Sequence, residues 1–321
     1  MTCADAGRCA DTARERLDPL AGTAHGYDRW LMLEHRGPWA YDAFGGLPMG
    51  DDARHAVVEA IRTTRTRLLV IRRPGRPAPD EAHRWCLADR RSGSTLWGAW
   101  DSDADLLAAA EAVHAGPPTD VPGAVEAAPP MLLVCAHGRH DVCCAVRGRP
   151  VAAALAERWP DQVWESSHVG GDRFAPNVVV VPDGTTYGML EPVDACDVVA
   201  AHLEGRVSAS HLRGFGGQPP VVQAVAAAAH AQLGPAGPRD VVGHEVVATG
   251  EHRWTVRLRC TGALPPVVEA EVTGTRRESA FLTCHAPAAT RAWAWSVGDL
   301  RAPDGFTRTS SRRDGTDSTG P

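Results

Sequence analysis

MLLVCAHGRHDVCCAVRGRPVAAALAERWPDQVWESSHVGGDRFAPNVVVVPDGTTYGML, residues 131–190, sets two thiols, Cys135 and Cys144, nine positions apart directly after an apolar strand. A histidine, His168, follows at a second strand-to-loop junction, SHVGGDRF, where Gly170 and Gly171 permit a sharp turn. Thiolate and imidazole are the ligands that soft or borderline metals and iron–sulfur clusters select. Nowhere else in the chain do Cys and His converge on local sequence in this way. Around these residues the pattern is β-loop-α-β-β-β-α. Residues 131–134 read as a strand, and Pro150 opens a helix over about 150–158. The segments 161–168 and 177–182 read as strands, the second β-branched throughout and therefore buried on both faces. Asp183-Gly184 turns the chain into TTYGML, and the helix 192–205 stops at Gly205. That order brings the cysteine loop and the histidine loop to one end of a sheet.

The same stretch resembles the sucrase/ferredoxin-like family, a group of thioredoxin-fold [2Fe–2S] proteins. Its members show C-x8-C after a strand, then H-x3-H inside a W-x-x-SHxGG(H/D)RFAxN segment, then V-x-x-P-x-G-x-x-YG. Here those positions are Cys135, Cys144, Trp164, His168, Gly170, Gly171, Arg173, Phe174, Ala175, Asn177, Pro182, Gly184, Tyr187 and Gly188. Weaker matches lie at GTA 22–24, LEHRGPW 33–39 and RGF 213–215. The resemblance implies a thioredoxin-like fold and a [2Fe–2S] cluster. It also selects Cys144 over the adjacent Cys143, which is left as packing or a spare thiol. One position departs: Asp172 stands where cluster-binding members carry a second histidine. The implied ligand set is therefore Cys135, Cys144, His168 and Asp172. The fourth place stays open to His140, His137, Cys143 or water, with Asp172 then orienting a histidine.

Beyond this stretch, 44% hydrophobic residues and a net charge of −6 describe a globular chain with no nucleic-acid surface. Every one of the 33 basic residues is arginine, which reads as compositional bias. No apolar run is long enough to cross a bilayer, and the polar N-terminus reads as carrying no secretory signal. Nine cysteines, an odd number in a chain of this size, argue against a disulfide framework and for a reduced, cytoplasmic setting.

The expected fold class is α/β. A thioredoxin-like ferredoxin domain (131–205) is preceded by a small α/β domain (1–116) and followed by a small α+β region (206–301). The segment 117–130, with five prolines, reads as a linker, and 302–321 as a disordered tail. In the first domain the expected elements are strands 29–34, 68–75, 83–91 and 94–100 and helices 51–65 and 103–116, the last capped by Asp101 or Ser102. In the third region a helix at 219–233 precedes strands 240–248, 252–260, 266–273 and 279–284. Cys3 and Cys9 read as ordinary thiols on a mobile terminus. Cys284 lacks a partner pair in sequence, and Cys86, Cys196 and Cys260 read as core.

The functional expectation is an electron carrier that exchanges single electrons with a redox protein partner, with no catalytic acid, base or nucleophile. Arg139, Arg147 and Arg173 are the cations available to offset cluster charge or dock an acidic partner. A carboxylate in place of the second imidazole favours the ferric state, so a lower potential than that of a two-cysteine, two-histidine relative is expected. The rivals are a thiol–disulfide oxidoreductase or redox sensor using Cys135 and Cys144, and a binding module without a cluster. No carboxylate pair stands in a recognisable glycosidase setting, so sugar hydrolysis is not expected.

Overall fold

The computed structural model describes residues 7–75, 82–116, 124–125 and 129–302. Cys3, most of the 117–130 segment and nearly all of the polar tail lie outside the described residues. In chain order the elements are α1 (Cys9–Glu15), β1 (Arg29–Glu34), α2 (Asp51–Thr64), β2 (Arg67–Arg72), β3 (His83–Asp89), β4 (Ser94–Trp100) and α3 (Asp103–Ala115). There follow β5 (Ala124–Val125), β6 (Met131–Cys135), α4 (Val142–Arg158), β7 (Val163–Ser166), β8 (Asn177–Val181), β9 (Thr185–Gly188) and α5 (Pro192–Leu203). The last elements are β10 (Leu212–Phe215), α6 (Pro220–Leu233), β11 (Val241–Gly250), β12 (Arg253–Cys260), β13 (Val267–Arg276) and β14 (Trp293–Val297). The mixed α/β class and the order strand, helix, three strands, helix over 131–203 agree with the sequence reading.

Ten strands form one sheet in the order β10-β9-β8-β6-β7-β2-β1-β3-β4-β5. The α/β units on either side of residues 117–130 thus share a sheet. They meet where β2 pairs antiparallel with β7, Ile71 opposite Ser166 and Arg72 opposite Glu165. β1, β6 and β8 lie in the middle of this sheet, which is why their side chains are apolar on both faces. One face carries α2 and α3 over Leu33, Val57, Leu87 and Leu106. α3 begins with a capping box in which Ser102 and Asp105 satisfy each other's backbone amides. The strands β11–β14 form a separate antiparallel sheet, and α6, buried along most of its length, lies between it and β10.

Two elements differ from expectation. The helix containing Pro150 begins at Val142, not near 150, because the Asp141 carboxylate caps it by accepting from the Cys143 amide at 2.8 Å. Cys144, Gly148, Val151 and Leu155 then bury one helical face, and Pro150 sits inside the helix. Cys143 and Cys144 are consequently helical, not part of a loop. The strand expected at 279–284 is absent. Phe281 and Cys284 instead pack into the apolar cluster that holds Cys9, Cys135 and Cys143, and the fourth strand of the small sheet is β14.

His230, on α6, is 4% exposed, its ring faces Phe215, and neither ring nitrogen has a hydrogen-bond partner among the described residues. Burial holds its pKa down to about 4. An unfolded histidine titrates near 6.5, so the folded state resists protonation. Stability is therefore full above pH 6.5 and falls as pH drops towards 4, by about 3 kcal/mol from this group. Urea unfolding across that range should show a shallower loss in His230→Leu than in wild type. Parallel curves would exclude His230 as a source of acid lability.

Candidate metal centre

Cys135 ends β6, where its neighbour Ala136 donates to Ser166 O on β7 at 3.1 Å. Cys144 lies in the first turn of α4, which packs on the same strand end. His168 follows β7 and is held from the other side of the sheet by β2. The Ser167 amide donates to Val70 O at 2.7 Å, Ser167 Oγ accepts from the Val70 amide at 2.9 Å, and Arg67 donates to His168 O at 2.6 Å. Asp172 opens a single 3₁₀ turn, Asp172–Phe174, directly after the double glycine.

All four anticipated side chains converge. The candidate ligand atoms of Cys135, Cys144 and His168 lie within 4.8 Å of one another, as do those of His140, His168 and Asp172. The Cys144 thiol donates to Asp172 Oδ1 at 3.2 Å, and His168 Nδ1 lies 2.9 Å from the same oxygen. Cys135, Cys144 and Asp172 are fully buried, while the His168 side chain keeps 24% exposure. His140 stacks on His168 at 3.8 Å between ring centroids and Tyr41 stacks on His140 at 5.2 Å, so rings run from the centre to a surface cavity of about 320 Å³.

The electrostatics separate the groups. The hydrogen bond from Cys144 lowers the Cys135 thiol to about 5 against the opposing effect of burial, with His168 adding to the shift. The Cys144 thiol moves the other way, raised by its contact with Cys135 and by burial. Burial alone would lower His168, but its contacts with Asp172 and Cys135 outweigh that and raise it to about 9. Thiolate and neutral imidazole are the forms that bind metal, so loading the site releases protons. Asp172 Oδ2 is buried with no hydrogen-bond partner among the described residues. A carboxylate oxygen so placed is costly unless it ligates or is otherwise compensated. Two thiols, an imidazole and that oxygen form a donor set suited to an iron–sulfur cluster.

Arg213 is a buried cation at this site, whereas Arg147 and Arg173 are engaged elsewhere. Arg147 pairs with Asp11 and Glu191, and Arg173 with Asp18. Arg213, 1% exposed, donates to Gly170 O and Asn177 Oδ1 at 2.8 Å each, and to Thr23 O and Oγ1. Burial and Arg173 pull it down to about 9 against Asp172, Cys135 and Cys144, so it stays charged at neutral pH. Gly170 and Gly171 are needed here: both have positive φ, and a Cβ would lie 1.7 Å from His25 Nε2 at the first and 2.3 Å from Arg213 Nη2 at the second. The weak matches at 22–24 and 213–215 were the sequence signal for Arg213 and its partner Thr23.

Cys9 corrects the expectation of a mobile terminus, being 1% exposed in α1. Cys143 and Cys284 lie beside it, with Cys9 Sγ 3.7 Å from Cys143 and 3.6 Å from Cys284.

A model of the sucrase/ferredoxin-like family matches residues 20–214. No curated protein matches the chain. Among solved structures, a thioredoxin-like [2Fe–2S] ferredoxin from Aquifex aeolicus is similar at 25% identity, covering 28% of this chain and 94% of that one, with a TM-score of 0.25. A cysteine-to-serine variant of that ferredoxin is similar at 24% identity, over 26% of this chain and 96% of its own, with a TM-score of 0.23.

Proposed function

Because this chain belongs to the sucrase/ferredoxin-like family, we propose that it carries one [2Fe–2S] cluster and passes single electrons between a redox protein donor and an acceptor. The observation that carries the reading is the convergence of Cys135, Cys144, His168 and Asp172 at one end of the ten-stranded sheet. When bound, the cluster supplies a reversible one-electron couple. Cys135 and Cys144 would hold it as thiolates, His168 as an imidazole and Asp172 through its carboxylate. Arg213, fully buried beside them, offsets their negative charge. α4, β6 and the glycine turn exclude water, and His168 forms the edge nearest solvent. The reading places the protein in a reducing cytoplasm, where the thiols stay available. No helix among the described residues is long and apolar enough to cross a membrane.

The thiol-redox alternative draws on the lowered Cys135 thiol beside Cys144. It is disfavoured by the complete burial of both sulfurs, since exchange requires access to the attacked sulfur.

Anaerobic purification with iron, acid-labile sulfide and a visible spectrum tests the reading. About two irons and two sulfides per chain are expected, together with a bleachable absorbance, and both are lost in Cys135→Ala. Asp172→His, which replaces an anion by a neutral ligand, should raise the potential by on the order of 100 mV. An unchanged potential would remove Asp172 from the ligand set. Colourless, iron-free protein after anaerobic reconstitution would overturn the proposal in favour of the thiol or binding-module reading.

A further inference from the structure

A second cluster of donors lies beside the first and takes no part in it. Cys9 from α1, Asp141 and Cys143 at the start of α4, and Cys284 from the segment before β14 bring three sulfurs and a carboxylate within 4.8 Å of one another. The sulfur–sulfur separations are 3.7 Å for Cys9–Cys143, 3.4 Å for Cys143–Cys284 and 3.6 Å for Cys9–Cys284. Cys9 Sγ is 3.7 Å from Asp141 Oδ2 and 4.0 Å from Oδ1. We propose that Cys9, Cys143, Cys284 and Asp141 form a tetrahedral structural zinc site.

The geometry selects a single ion. Zinc with sulfur ligands at about 2.3 Å and a carboxylate oxygen at about 2.0 Å sets its sulfurs about 3.8 Å apart and the oxygen about 3.5 Å from each. The three sulfur separations approach one face of that tetrahedron. Three thiolates select a soft or borderline ion over calcium or magnesium.

The surroundings hold the donors in place. The carboxylate is oriented by backbone amides, with Oδ1 accepting from Cys143 at 2.8 Å and Oδ2 from Cys284 at 2.6 Å, the outer support that fixes metal ligands. Cys143 lies in the first turn of a 17-residue helix, where the dipole favours thiolate. Cys9, Asp141 and Cys143 are buried and Cys284 is partly exposed, which leaves an entry side. Bound there, the ion ties α1 and the segment before β14 to the helix that presents Cys144.

Metal analysis of the full chain, grown with zinc and purified without chelators, tests this independently of iron. One zinc per chain is expected in wild type and in Cys135→Ala, and none in Cys9→Ser or Cys284→Ser. Zinc K-edge absorption of the wild type, which needs no variant to fold, should give three sulfur neighbours at about 2.3 Å and one oxygen at about 2.0 Å. Three outcomes would overturn the site. One is absence of zinc even after the reduced protein is incubated with zinc sulfate. Another is a native disulfide joining any two of the three cysteines. The third is zinc that leaves with Cys135→Ala but stays in Cys9→Ser. Failure of the iron analysis leaves these readouts untouched.

Discussion

Gly148→Ala is expected to destabilise the protein by about 2 kcal/mol, overpacking less the gain in helix propensity, and to pull the two cysteines of the candidate centre apart. Gly148 lies one turn beyond Cys144 on α4, where the helix crosses the end of β6. A Cβ there would sit 2.0 Å from Cys135 O and 3.1 Å from Cys135 C. Both are backbone atoms in a central strand, so no flexible side chain can yield. Helix propensity works in the other direction, since alanine is better than glycine in a helix interior by about 1 kcal/mol. Overpacking of this severity costs about 1–3 kcal/mol, occasionally more, and wins. The helix must move off the strand, and Cys144 moves with it. Thermal unfolding should show the loss, and reconstituted iron per chain should fall well below wild type. A variant with wild-type stability would mean that α4 does not approach β6 so closely.

Arg213→Met is expected to cost about 3–5 kcal/mol, the range found when one partner of a buried charged network is removed. Methionine approximates the volume of the side chain but leaves Gly170 O, Asn177 Oδ1 and Thr23 O without their donor. Each unsatisfied buried acceptor costs about 1–3 kcal/mol, although water entry and relaxation reduce the sum. The variant also removes the buried positive charge that faces Asp172, Cys135 and Cys144. Iron retention should therefore fall further than stability alone accounts for. Arg213→Lys separates the two effects: it restores charge without the planar fork that reaches several carbonyls. Partial recovery of iron without full recovery of stability is the expected pattern. Equal stability in wild type and Arg213→Met by denaturant unfolding would refute the structural role.

The central unit was legible because its signals are local. A β-branched run such as NVVVV can hardly be other than a buried strand, and Asp183-Gly184 marks its turn; both are found, with the Asp183 carboxylate accepting from the Thr185 amide at 2.8 Å. The start of α4 was misread because Pro150 is a common opening residue, whereas the actual cap, Asp141, sits in a run of polar residues that reads as loop. Residues 279–284 were misread as a strand because an apolar run shows only that a segment is buried, not what it is buried against.

Local patterns within about sixty residues by themselves determined the element order around the candidate centre, and the family resemblance carried by the same stretch implied the four side chains that meet there. Only the tertiary structure decided that β2 pairs with β7 and so braces His168, and that Arg213 lies under the glycine turn. It alone brings Cys9 and Cys284, 134 and 141 residues from Cys143 in the chain, to the start of α4. The physical reason is range. Turn chemistry and side-chain periodicity act over a few residues, whereas the burial of a thiol or a guanidinium depends on whichever distant segments close the core around it.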